Sequence, residues 1–194
     1  MQRLPLFPLN LVLLPYEYLP LHIFEPRYKK MIKNSIEKKS PFGIIHGEGQ
    51  NLHPKGCKVK VSKVYKTYKN GEYDILVKGI DRFKVFNTEL DGETVIGEIE
   101  YIPLSKKSDN KIISSLQDSY LKVLLNFGIN TDLDMHMKKK ISYEFLQGFQ
   151  LPLEIKKELI LMDNESKRLI FIHGIFNNLL KDGIGSNNFQ LPEA

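Results

Sequence analysis

Few residues in this sequence carry the chemistry of catalysis. The candidates for acid–base, nucleophilic or metal-binding work are His22, His46, His53, His136, His173 and the single Cys57. Of these, only His53 and Cys57 sit close together, on what reads as a loop entering a strand. With His46 they would offer the nitrogen and sulfur donors that zinc takes. The plainer reading makes Cys57 a small core hydrophobe and His53 a solvated loop residue, so no metal site is expected. His22 lies between Leu21 and Ile23, points to the opposite face of an extended segment, and reads as a hydrogen-bonded structural histidine. His173 flanks an apolar helix seam and reads as packed. Glu25 and Arg27 flank Pro26; an acid at a helix start has a plain dipole role, and Arg27 is expected to bridge helix and sheet. The sequence has no G-x-x-x-x-G-K-[ST] phosphate loop, no G-x-S-x-G elbow, no H-E-x-x-H and no C-x-x-C. Gly47-Glu48-Gly49 lacks the third glycine of a dinucleotide loop. Neither a catalytic constellation nor a cofactor is expected.

Two features suit binding instead. Tyr16 and Tyr18 flank Glu17 between Pro15 and Pro20, and strand alternation would place both rings on one face. If that face is open, Tyr16, Tyr18, Leu19 and Leu21 form a platform for extended peptide, because Tyr gives large contact area at low entropic cost. The second feature is a run without acids from Lys55 to Lys69, in which Lys58, Lys60, Lys63 and Lys66 alternate with Tyr65 and Tyr68. Lysines on phosphates and rings under bases would bind nucleic acid. Lysines on an edge strand also deter aggregation, and the run has no Arg for bidentate recognition.

These residues need elements to hold them. The chain has 194 residues, 42% hydrophobic and 26% charged, which suits one or two folded domains. The net charge of +5 is mild, and one cysteine fits a reducing compartment. With no long uncharged apolar run, a cytoplasmic protein without membrane contact is expected. Composition shifts near residue 102. We expect a β-rich unit over 1–102, a helical unit over 103–181 and a flexible tail over 182–194: an α+β protein.

In the first unit, the prolines make Leu4–Leu9 and Val12–Phe24 extended. Pro26 opens a helix whose Tyr28, Met31, Ile32 and Ile36 form one stripe. Phe42–His46 reads as a strand, 47–51 as a loop, and Cys57–Val64 as a strand with a bulge between Val61 and Val64. Asn70-Gly71 signals a hairpin. Tyr73–Lys78, Arg82–Phe86 and Val95–Tyr101 complete about six strands, the makeup of a small closed or half-closed β structure. The second unit reads as four helices: Lys111–Phe127, Leu133–Gln147, Pro152–Met162, and a last one capped by Asp163 or Asn164 with Leu169, Ile172, Phe176 and Leu179 as its seam.

The ordered run Leu4-Pro5-Leu6-Phe7-Pro8-Leu9, Val12-Leu13-Leu14-Pro15 and Leu19-Pro20-Leu21-His22-Ile23-Phe24-Glu25-Pro26-Arg27-Tyr28 resembles the N-terminal domain of the Lon ATP-dependent protease family. Phe149-Gln150-Leu151-Pro152, Glu158–Asp163 and Lys167-Arg168-Leu169 resemble that domain's helical portion. The resemblance implies a PUA-like β pseudobarrel followed by a small helical bundle, with Pro5, Phe7, Pro8, Pro15, Pro20, Phe24, Glu25, Pro26, Arg27 and Tyr28 as structural motif residues. It implies a stand-alone substrate-binding-domain protein without the ATPase and Ser-Lys protease parts. The implied role is non-catalytic recognition of unfolded or flexible polypeptide. A protease or chaperone complex and self-association are the implied partnerships. The alternative is RNA binding through the basic strand, since PUA-like architectures also serve RNA.

Overall fold

The prolines near the start hold the chain extended, and it enters a sheet at once as β1 (Gln2–Leu9). The computed structural model describes residues 1–48, 51–104, 109–129 and 133–182. Contacts divide the chain into two compact units, Met1–Pro103 and Leu104–Ala194.

In the first unit β1 is followed by β2 (Tyr18–Ile23), α1 (Pro26–Lys38), β3 (Phe42–Glu48), β4 (Asn51–Leu52), β5 (Lys55–Thr67), β6 (Tyr73–Asp91) and β7 (Thr94–Ile102). Antiparallel pairings join β1 to β7, β7 to β6, β6 to β5 and β5 to β3. A parallel pairing from Leu6↔Gly43 to Leu9↔His46 returns β3 to β1 and closes the circuit. Closure leaves those five strands few free edges. β2 lies outside the circuit and, among the described residues, pairs only with the first part of β6, from Tyr18↔Lys78 to Ile23↔Tyr73.

Apolar residues fill both sides of this wall. Leu4, Leu6, Ile45, Phe83 and Ile99 form one buried cluster. Phe7, Leu13, Ile23, Tyr28, Ile32 and Phe42 belong to a second, between α1 and the strands. α1 starts with Pro26 in its first turn and ends at Lys39 in left-handed geometry, φ 52°. Its stripe buries Tyr28, Met31 and Ile32, with Ile36 half-buried against the same core. Phe7 and Tyr28 meet at 4.0 Å between ring centres.

Several expectations need correction. Residues Tyr73–Lys78 and Arg82–Phe86 are parts of one 19-residue strand, β6, and there are seven strands rather than six among the described residues. The strand passes through Gly79, where a Cβ would lie 2.4 Å from the Leu14 carbonyl oxygen. The residue is glycine because the loop before β2 lies directly on it. Gly79 donates its N–H to the Glu17 carbonyl (2.9 Å) and accepts from Tyr16 N–H (3.0 Å). The bulge in β5 is present between Val61 and Lys63, with two more at Lys58/Val59 and Val64/Lys66. The 47–51 segment is not simply loop, because β3 extends to Glu48 and pairs with β4.

In the second unit α2 (Asn110–Asn126) is capped by the Asp109 carboxylate, which accepts Lys111 N–H at 2.8 Å, and stops before Gly128 at φ +73°. The helix expected over 133–147 is broken. α3 covers only Leu133–Met137, and a 3-10 turn occupies Ser142–Leu146. Tyr143, Phe145 and Leu146 are buried almost in succession, which no single face of an α-helix provides. The Glu144 carboxylate accepts the N–H groups of Lys140 (2.8 Å) and Ile141 (2.9 Å), closing the break. α4 (Leu153–Leu161) and α5 (Glu165–Asp182) follow. Asn164 Oδ1 accepts Lys167 N–H at 2.9 Å, the cap expected there. Leu169, Ile172 and Phe176 are buried on α5, with Leu179 half-buried. The tail expected from residue 182 lies outside the described residues from 183 onward. Among the described residues no helix is long and apolar enough to cross a membrane.

Candidate functional site

The structure separates the two tyrosine candidates: Tyr18 opens β2, and Tyr16 lies in the turn before it. Leu14–Glu17 is a turn closed by Glu17 N–H to the Leu14 carbonyl (3.2 Å), with Pro15 at its second position and Tyr16 at its third, φ +69°. Tyr16 is thus off the strand. The expected single face shared by Tyr16 and Tyr18 does not exist, because alternation begins only at Tyr18. Glu17 fixes this turn by accepting Leu14 N–H at 2.8 Å.

Strand alternation also reverses the role of the leucines. Leu19 and Leu21 pack against the core, and Ile23 is buried within it. Tyr18, Pro20 and His22 face outward, and Phe24 follows them into solvent. Tyr18 is 50% exposed and Phe24 58%. On β6 the outward neighbours are Lys78 beside Tyr18, Leu76 beside Pro20 and Asp74 beside His22. Among the described residues no strand pairs with the other edge of β2.

His22 organises one end of this face. Its Nδ1 lies 2.6 Å from Asp74 Oδ1, and its Nε2 lies 3.6 Å from Glu72. The imidazole stacks on Phe24 at 5.9 Å and meets the edge of Tyr68 at 5.8 Å. Tyr68 donates its hydroxyl to Asp74 Oδ2 at 2.7 Å. That hydrogen bond, and then His22, hold the Asp74 carboxyl below the usual carboxylate range. A carboxyl depressed in the folded state adds stability at pH above its unfolded value and loses it as pH falls through the folded one. Tyr68→Phe should therefore raise the Asp74 titration toward the ordinary aspartate value; a carboxyl-carbon NMR titration reads it, and an unmoved midpoint would refute the assignment.

The lysine run divides. Lys55 is buried and Lys58 lies over the Tyr101 ring at 4.3 Å, both on the part of β5 near its pairing with β3. Lys60, Lys63 and Lys66 are exposed on the outer part of β5. The Lys63 ammonium sits 4.9 Å over Tyr65, and Lys66 sits 4.3 Å over Tyr68. Lys78 covers Tyr18 in the same way at 5.0 Å. Each ammonium group covers one face of its ring in a cation–π contact.

The metal candidates do not converge. Cys57 is fully buried and burial pushes its thiol pKa up, away from the thiolate that a metal takes. His53 Nδ1 lies 2.9 Å from the Lys55 carbonyl oxygen. Among the described residues no three of His, Cys, Asp and Glu could hold a metal ion together. A cleft of about 570 Å³ between β1 and the β6–β7 turn is lined by Arg27, Glu48, Glu89 and Glu93, but by none of the histidines.

Of the motif residues, Pro5, Phe7 and Pro8 lie on β1, Pro15 in the turn before β2, Pro20 on β2, and Phe24 to Tyr28 at the passage from β2 into α1. Arg27 corrects an expectation: it pairs with Glu25, Nη2 to Oε2 at 2.6 Å, and lies 4.7 Å over Tyr28, instead of bridging helix to sheet. Ties from α1 to the strands are made by Thr94, whose hydroxyl donates to the Arg27 carbonyl at 3.3 Å, and by Lys29, whose ammonium reaches the Asn70 carbonyl at 3.2 Å. Phe24, expected among the structural motif residues, lies on the outward face beside His22. The phase set by Leu19, Leu21 and Ile23 carried that signal.

Residues 3–176 match the substrate-binding domain of ATP-dependent protease La (LON). The Lon N-terminal domain protein from Xanthomonas campestris is 23% identical over 90% of this chain and 98% of its own, with a TM-score of 0.68. The N-terminal domain of the Lon protease of the Mycobacterium avium complex is 13% identical over 91% of this chain and 99% of its own, with a TM-score of 0.72. Those two likenesses speak for the fold, while the match across residues 3–176 settles kinship: this chain belongs to the Lon substrate-binding domain family.

Proposed function

We propose that the chain is a non-catalytic binding module for unfolded or flexible polypeptide, acting in the cytoplasm beside a protease or chaperone complex or as a self-associated assembly. The observation that carries this reading is β2: an edge strand with one side unpaired and Tyr18, Pro20 and Phe24 turned outward. An extended segment would add its backbone to that edge and lay apolar side chains on the rings. Such a site is weak alone, because ordering a loose chain offsets much of the contact energy. Repetition in an assembly would restore affinity.

Fluorescence anisotropy with labelled, reduced and alkylated lactalbumin tests the reading. Tyr18→Ala should weaken binding by roughly 5–30-fold, the range of a ring contributing about 1–2 kcal/mol at a binding site. Tyr65→Ala should leave it unchanged. Binding of single-stranded RNA with a steep salt dependence, and of no polypeptide, would give the basic strand the role instead.

A further inference from the structure

A second strand edge lies open elsewhere in the first unit. On the side away from β6, β5 pairs with β3 only as far as Phe42↔Val59. Beyond Val59 no strand among the described residues covers that side. On that side the backbone groups of Lys60–Val64 have no strand partner among the described residues, with the bulge at Ser62 breaking their alternation once, and unpaired edge groups are what strand addition uses. This edge does not project into solvent. It forms one wall of a groove of about 410 Å³ whose other wall is the C-terminal turn of α1.

The groove has a definite chemistry. Ile36 and Val61, each partly buried against the core, supply apolar surface, and Val64 is 38% exposed beside them. Lys39, Lys60 and Lys63 stand around it, and no carboxylate lines it. Glu37, the acid nearest in sequence on α1, faces Lys33 at 3.9 Å. The helix end closes itself: Ser35 donates its hydroxyl to the Ser40 carbonyl (2.5 Å) and Ser40 to the Asn34 carbonyl (3.4 Å). Lys63 lies over the Tyr65 ring, and no carboxylate lining the groove answers the three lysines.

Lysines on an open edge deter other strands. They also select. A second β5 edge would bring lysine against lysine, and a neutral strand would leave three ammonium groups crowded and unanswered. A segment with carboxylates at alternate positions answers them while its apolar residues meet Ile36, Val61 and Val64. We propose that this groove binds an extended acidic polypeptide segment as an added strand on β5. The inference rests on the reading of the chain as a polypeptide binder, and adds a second place and a charge preference.

The test uses the full chain and three labelled peptides of one alternating valine pattern, with Glu, Gln or Lys between the valines, beside a single-stranded RNA oligonucleotide. The Glu peptide should bind about tenfold tighter than the Gln peptide at low salt, as a few partly exposed ion pairs allow, and the Lys peptide should not bind. Lys60→Glu with Lys63→Glu should reverse the order, with circular dichroism confirming that the variant is folded. Tyr18→Ala should leave Glu-peptide affinity unchanged. Hydrogen exchange should slow at the Lys60–Val64 amides when the Glu peptide is bound. Equal affinity for Glu and Gln peptides would overturn the charge preference. Sensitivity to Tyr18→Ala alone, without protection of Lys60–Val64, would move the peptide to β2 and overturn this site while sparing the proposed function. RNA binding with no peptide binding would overturn both.

Discussion

Arg168→Met should destabilise the helical unit by about 3–5 kcal/mol, the loss expected when one member of a buried ion pair is removed. Arg168 is fully buried and Glu165 is 4% exposed, one turn apart on α5. The guanidinium binds the Glu165 carboxylate and the Met162 carbonyl, donates Nε–H to Ser142 Oγ at 3.1 Å, and lies 4.9 Å over the Tyr143 ring. Glu165 in turn accepts Ser142 N–H at 2.6 Å and the Ser142 hydroxyl at 3.1 Å. One pair therefore ties α5 to the 3-10 turn and to the end of α4. Methionine matches much of the volume but leaves a buried carboxylate without its counter-charge. Adding Glu165→Gln should recover part of the loss, since a neutral amide is cheaper to bury. Urea unfolding followed by near-ultraviolet circular dichroism measures both. A loss below about 1 kcal/mol for Arg168→Met would mean that the pair is solvated enough to behave as a surface bridge.

The parts of this structure that the sequence announces are those decided within a few residues. Pro26 followed by Tyr28, Met31 and Ile32 is a helix start and a core stripe at once, and both appear. Asn70-Gly71 turns the chain with Gly71 at φ +81° and Gly71 N–H on the Tyr68 carbonyl. The family likewise shows in the local run from Leu19 to Tyr28. What was hidden depends on distant neighbours. Tyr16 takes a positive φ because Gly79 holds the Tyr16 N–H and a turn closes over Leu14, and neither fact is visible beside Tyr16. The break after Met137 follows from Glu165, which takes the Ser142 N–H that a continuous helix would have used. Of the proposed peptide face, Tyr18 was legible, while Leu19 and Leu21 proved to be core-facing because β6 fixes the phase of β2. The groove beside β5 brings Lys39 to Lys60, a pairing that only the packing of α1 creates.

Phe83→Ala should cost the first unit about 3–5 kcal/mol, the usual loss for a fully buried Phe. The ring is fully buried among Leu4, Leu6, Ile45 and Ile99, and its room exists because two neighbouring strands carry glycine. A Cβ on Gly43 of β3 would come within 2.7 Å of the ring, and one on Gly56 of β5 within 2.4 Å. β3, β5 and β6 thus meet around one side chain, next to the β1–β3 pairing that closes the circuit. Gly43→Ala tests the same seam from the other side. Its added methyl would press first on the Phe83 and Leu6 side chains, so a loss of about 1–3 kcal/mol is expected from overpacking. Phe83→Leu combined with Gly43→Ala should lose less than the sum of the two single changes, because the smaller side chain yields the space that the methyl needs. Strict additivity in urea unfolding would show that the ring and the glycine do not share that space. Among the described residues the outer part of β5 pairs only with β6, so hydrogen exchange at Lys60–Val64 should quicken in Phe83→Ala as its inner end loosens.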